Sequence, residues 1–158
     1  MKKIVLAVLG VTALFPAMAV DSEVAYPTGY RQWSHVKSMV IEKEHALFAS
    51  FGGVHHLYAN KKAMDGYKAG HFPNGAVIVF DLLEANRSDG AIVEGDRKVL
   101  GVMQKDAKKF PATGGWGFEG FAGGDKTKRV VGKNAATACF ECHTAQKGRD
   151  FVFSSYRN

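Results

Sequence analysis

Two cysteines and a histidine near the end of the chain, Cys139-Phe140-Glu141-Cys142-His143, constrain this sequence more than any other stretch. Cysteines three apart, with a histidine directly after the second, form the attachment signature for a c-type haem. Each thiol adds to one vinyl group of the porphyrin. On a helical turn, residues three and four apart share a face, so both sulfurs and the His143 imidazole can point at one macrocycle. His143 then ligates iron from the proximal side. The competing readings are a structural disulfide, a redox-active cysteine pair and half of a zinc site. Zinc needs ligands beyond these three residues, and the chain has no second cysteine pair. A thioredoxin-like motif sits early in a βαβ unit, whereas this one closes a chain that reads as β. Covalent haem c is the expected cofactor, with His143 the metal ligand.

Residues 1–19 read as a secretory signal peptide. Lys2 and Lys3 form the positive start, residues 4–15 an uncharged and mostly apolar run, and Ala17-Met18-Ala19 the small residues before cleavage. The apolar run is shorter than the roughly twenty residues a membrane span needs. The expectation is a periplasmic protein cleaved after Ala19, with residues 20–158 forming a single c-type haem domain. Loss of Lys2 and Lys3 lowers the formal charge of +6 by two. The remaining basic residues are scattered, so no nucleic-acid partner is expected, since that requires a clustered basic face. An acidic redox partner protein is compatible with the charge.

The segments 34–41, 54–58, 76–83, 98–103 and 116–121 read as strands. Val77-Ile78-Val79-Phe80 is a continuous apolar run, which implies cover on both faces. Residues 61–68 read as a helix stopped at Gly70, and Phe72-Pro73-Asn74-Gly75 as a turn. Residues 134–143 read as the helix carrying the haem motif. Residues 149–156 read as a returning strand with Phe151 and Phe153 on one face. The expected fold class is mainly β (α+β): an antiparallel sheet of about five strands with short helices, one bearing the C-terminal haem motif.

Several stretches together resemble the cytochrome P-460 family, which includes the cytochromes c′-beta. They are Tyr26-Pro27-Thr28-Gly29-Tyr30-Arg31-Gln32-Trp33, Tyr58, and Gly66-Tyr67-Lys68-Ala69-Gly70-His71-Phe72-Pro73-Asn74-Gly75-Ala76-Val77. Then follow Lys105-Asp106-Ala107-Lys108-Lys109-Phe110, Gly115-Trp116-Gly117-Phe118, the haem motif and Asp150-Phe151-Val152-Phe153. The resemblance implies a β-rich fold, a homodimer packed through its sheets, and a five-coordinate haem with one open face. P-460 enzymes oxidise hydroxylamine, with nitric oxide involved, and carry an extra link from a lysine to the porphyrin. The c′-beta members lack that link and bind nitric oxide or carbon monoxide in an apolar distal pocket.

The resemblance also marks candidate site residues. Phe51 resembles the aromatic that caps the iron; the alternative is a plain core phenylalanine. His55 falls where enzyme members carry an arginine, a departure that weakens the enzymatic reading. A distal histidine can hydrogen-bond a ligand or relay protons, while a surface or core role is the alternative for both His55 and His56. Lys68 lies where the cross-linking lysine would fall, with Lys61 and Lys62 as substitutes and a solvated lysine as the alternative. Glu119 reads either as an edge carboxylate in water or as a pocket base with a raised pKa. Met39, Met64 and Met103 are either core or sixth ligands. Two functions follow. One is an open iron site that binds or oxidises a small nitrogen species, hydroxylamine or nitric oxide, with or without catalysis. The other is a periplasmic electron carrier with six-coordinate haem.

Overall fold

The structure, a computed structural model, describes residues 23–157; the expected signal segment lies outside the described residues. Five strands form one antiparallel sheet: β1 Ser34–Ile41, β2 Gly53–Ala59, β3 Val77–Ser88, β4 Ala91–Lys105 and β5 Trp116–Ala122. Their spatial order is their chain order, β1-β2-β3-β4-β5, so each strand turns back on the one before it. The β3–β4 hairpin runs further than the apolar pattern indicates. Asp89 and Gly90 take φ values of +51° and +78°, the left-handed pair that a two-residue hairpin turn requires. Ser88 therefore pairs with Ala91, and the ladder continues through exposed residues, polar and apolar alike.

Helix α1, Phe48–Phe51, lies between β1 and β2; helix α2, Lys61–Ala69, lies between β2 and β3. Asn60 fixes the start of α2. Its side-chain oxygen accepts from the Ala63 and Val77 backbone N–H groups, and its amide donates to the Gly75 carbonyl. One side chain thus caps the helix and ties it to the head of β3. Gly66 lets the Phe72 ring lie against α2; a Cβ there would stand 2.3 Å from Phe72 Cδ1.

Each sheet face carries its own apolar cluster. On one face Val36, Ala59, Ile78, Trp116 and Phe118 meet Ala63 of α2, Phe72 and Val152. On the other, Val79, Leu100, Val102 and Phe121 meet Val24, Tyr30 and Phe110. Ile78 and Val79 at the head of β3 are accordingly buried on opposite faces, as the unbroken apolar run implies.

The second face also buries a charge, Asp81, at 1% exposure. Arg97 Nε donates to its Oδ1 at 2.6 Å, and Tyr30 Oη donates to its Oδ2 at 2.6 Å. Burial, together with the Asp81 hydrogen bond, pushes the Tyr30 phenol from 10.0 up to about 12. A folded-state value above the unfolded one contributes stability that is fully present below pH 10 and lost as pH rises through about 12. The gap corresponds to roughly 3 kcal/mol. Wild-type protein should lose urea stability steeply between these pH values, and Tyr30→Phe should remove most of that slope. Equal slopes in both proteins would contradict the assignment.

The segment 149–156 is not a strand, which corrects the sequence expectation. Asp150 and Phe151 take φ values of +50° and +65°, a left-handed turn that no ladder accommodates. The alternation of Phe151 and Phe153 comes from this turn and the irregular chain after it.

Candidate functional site

The haem motif sits in a run of helical turns spanning 136–149 that is kinked at Gln146. It opens as a wide π-helical stretch, Ala136–Phe140, passes through α3, Glu141–His143, and tightens to a 3-10 turn, Thr144–Arg149. This runs six residues past the end expected from sequence. The approach to it is anchored by Glu119. That residue is 6% exposed and accepts from the backbone N–H groups of Gly120, Val131 and Gly132 and from Arg129. Burial pushes its carboxyl up, but those donors outweigh burial and hold it below the usual range. Glu119 is therefore neither an edge carboxylate in water nor a raised-pKa base; it ties the loop entering the haem helix to β5.

Cys139 and Cys142 are free thiols, so the disulfide reading is not met. Burial pushes the Cys139 thiol up, with the Glu119 and Cys142 charges adding to the effect. A thiol kept protonated is a poor metal or redox nucleophile. Among the described residues, no group of three or more His, Cys, Asp or Glu side chains is arranged to hold a bare metal ion.

His143 is oriented by a single hydrogen bond. Its Nδ1 donates to the Phe151 carbonyl at 2.7 Å. A carbonyl can only accept, so the proton is on Nδ1 and the Nε2 lone pair is free to ligate, the usual arrangement for a metal-binding imidazole. Burial pushes the His143 pKa down, against the pull of the Phe151 carbonyl, and favours the neutral ring. Phe118 and Phe153 flank the ring, with centroids 5.0 and 4.9 Å away.

Strand register shows what else shares this face. Met39, His55, Leu82 and Val99 form one cross-strand row; Leu57, Phe80 and Gly101 form the next; Ala59, Ile78, Met103 and Phe118 form a third. The third row is largely buried. In the middle row Leu57, Phe80 and Gly101 are only half-buried, and Met39 is 51% exposed although the rows around it are apolar. Phe51 and Phe153 also keep 39% and 52% of their surface exposed. A half-covered apolar face beside an oriented imidazole and two free thiols fits a haem, which Cys139 and Cys142 would attach and whose iron His143 would ligate.

Phe51, His55 and Phe80 form one aromatic group. Phe80 meets Phe51 edge-on at 5.8 Å and His55 at 4.5 Å. His55 is 2% exposed, and its Nε2 donates to the Phe51 carbonyl. Its Nδ1 is enclosed by protein without a partner. Burial pushes the His55 pKa down, the Phe51 carbonyl opposes this, and the nearby Lys98 charge adds to the lowering. Lys98 also donates to the Gly52 carbonyl at 2.7 Å, so two hydrogen bonds pin the end of α1 and with it Phe51. His56 points to the opposite face, where Ser38 and Glu94 bond its two nitrogens. Phe80 was not among the sequence candidates. Strand alternation alone leaves its face undecided, and only pairing with Leu57 and Gly101 sets it.

The structure does not bring Lys68 into that aromatic group. It lies on the exposed side of α2, lining a surface cavity of about 420 Å3 with Gln32, Trp33, Ser34, Ala59, Lys61, Met64 and Asp65. Its neighbour Tyr67 turns inward and bonds Ser154. Met64 and Met103 pack against the core cluster.

A motif helix with an oriented imidazole, set on an apolar sheet face, defines a c-type haem protein on a β scaffold. The chain belongs to the cytochrome P460 family, whose model matches residues 27–154. That family membership implies haem c. No curated protein matches the chain.

Proposed function

We propose that this protein presents an open iron site to a small, weakly polar nitrogen oxide, with nitric oxide the best-fitting ligand. The observation that carries the reading is the character of the Phe51, His55 and Phe80 group. Its exposed surface is aromatic, and both His55 ring nitrogens are withheld, one by the Phe51 carbonyl and one by enclosure. Such a group excludes water and offers no proton donor or acceptor. It suits a diatomic ligand better than a substrate that must shed protons. When bound, the haem supplies an iron able to coordinate that ligand. His143 donates to it from Nε2, and Phe51 and Phe80 limit what approaches.

The same reading has the protein exported to the periplasm, with cleavage after Ala19, and acting as a homodimer with a redox partner protein. Export is supported by the pattern of residues 1–19, and among the described residues no helix is long and apolar enough to cross a membrane. Hydroxylamine oxidation is the conditional second reading. It needs Lys68 to reach the porphyrin edge, and the position of Lys68 on the last turn of α2 supplies its support.

The test is an optical titration of purified holoprotein with a tryptic map of the haem peptide. The expected result is a high-spin spectrum that shifts on adding nitric oxide, with porphyrin on the Cys139–His143 peptide alone. Lys68→Ala should then change neither spectrum nor binding. A second attachment at Lys68, with a red-shifted ferrous spectrum, would favour the hydroxylamine reading. A low-spin spectrum insensitive to nitric oxide, and lost in Met103→Ala, would favour a six-coordinate electron carrier.

A further inference from the structure

The Phe151 carbonyl that orients His143 belongs to a turn the chain does not adopt freely. Asp150 and Phe151 are successive non-glycine residues with left-handed backbone, a conformation that costs on the order of 1 kcal/mol or more per residue. Something must hold it, and the contacts converge on Asp150. Its Oδ1 accepts from Lys105 Nζ at 2.6 Å, its Oδ2 from the Phe72 N–H at 2.8 Å, and its carbonyl from Trp116 Nε1 at 2.8 Å. Lys105 is 9% exposed, also donates to the Gly114 carbonyl, and lies 5.0 Å over the Trp116 ring. A nearly buried ammonium–carboxylate pair thus stands one residue away from the carbonyl that receives the His143 proton.

We propose that Lys105 and Asp150 are a positioning pair for the axial histidine: they lock the Asp150–Phe151 turn and so set how strongly the Phe151 carbonyl draws on His143 Nδ1–H. The stronger that hydrogen bond, the more basic the imidazole and the more electron density reaches iron. The pair touches neither ligand nor iron and acts through Phe151. The inference rests on His143 being the iron ligand, as in the function proposed above.

The experiment compares wild-type holoprotein with Lys105→Met and Asp150→Asn, reading the reduction potential and the iron–histidine stretch of the ferrous state by resonance Raman. Relaxing the turn weakens the Nδ1–H bond. Both variants should therefore shift the potential upward and the stretch to lower frequency. Simple charge removal predicts otherwise, since loss of the ammonium lowers the potential and loss of the carboxylate raises it. Opposite signs, or no shift in either variant, would overturn the proposal. Val79→Ala, in the apolar cluster on the opposite face of the sheet, controls for general loosening and should move neither readout. An equal shift there would also overturn it. Asp150→Asn keeps the shape of the carboxylate and carries the test if Lys105→Met does not fold, through the iron–histidine stretch alone, because its potential rises under either account; an unchanged stretch there would overturn the proposal. If wild-type iron proves six-coordinate, the open-site reading fails at that first spectrum, while the potentials of the variants still decide the role of the pair.

Discussion

Replacing Cys139 and Cys142 together by alanine is expected to yield a protein whose haem is released completely by acidified organic solvent, apart from any held through a lysine. The wild type should retain it. Attachment depends on two thiols three residues apart on one helical face, and both are free for it. Intact mass reads the result directly: one porphyrin in the wild type, none in the double variant. His143→Ala should keep the thioether links but lose the proximal ligand, and with it the ligand-responsive spectrum. Added imidazole should restore part of that spectrum, because the removed group is a neutral ring whose free nitrogen faces the site. The fold should also weaken, since a macrocycle on the half-covered face around Leu57, Phe80 and Met39 contributes apolar burial. A wild-type protein without covalent porphyrin, after export from a host with haem-attachment machinery, would defeat the haem assignment.

The largest loss of stability is expected at Trp116. The side chain is 0% exposed, packs edge-on against Phe72 with centroids 5.4 Å apart, and donates its Nε1–H to the Asp150 carbonyl. Trp116→Ala removes a large buried ring, a loss of about 3–5 kcal/mol. It also leaves the Asp150 carbonyl short of a donor, roughly another 1 kcal/mol. For a domain of this size the melting temperature should fall by roughly 10 °C or more. Trp116→Phe keeps most of the volume but lacks the donor, and should cost about 1–3 kcal/mol. Thermal and urea melts of the holoproteins check both. A Phe variant as unstable as the Ala variant would mean that the hydrogen bond to the haem turn, not ring packing, dominates.

The sheet was readable where one local pattern governed each strand. β1 matches its expected bounds, and the strand at the head of β3 was marked by four consecutive apolar residues. The extension of the β3–β4 hairpin escaped, because its residues are exposed and their mixture of polar and apolar side chains lacks a period of two. The signal was the Asp89-Gly90 pair, which turn chemistry favours over hydrophobic pattern. The returning strand over 149–156 failed for the opposite reason. Phe151 and Phe153 alternate as a strand would, but the Lys105–Asp150 pair and the Trp116 donor hold the backbone in a left-handed turn. Those partners lie more than thirty residues away, beyond any local window.

The sequence by itself carries the attachment motif: Cys139, Cys142 and His143 are consistent with haem c, as family membership implies, because a helical turn places residues three and four apart on one face whatever surrounds it. It also determined the class of fold, since apolar period distinguishes strand from helix. Only the tertiary structure decided which side chains share the half-covered apolar face. Phe80 joins Phe51 and His55 there through β2–β3 register, and a one-residue slip would have sent it to the other side. Only the tertiary structure, likewise, withheld both nitrogens of His55 and turned Glu119 from a candidate base into a loop anchor. A side chain's chemistry is local, but its solvation and partners depend on segments distant in the chain, and those decide whether a histidine relays protons or holds a phenylalanine in place.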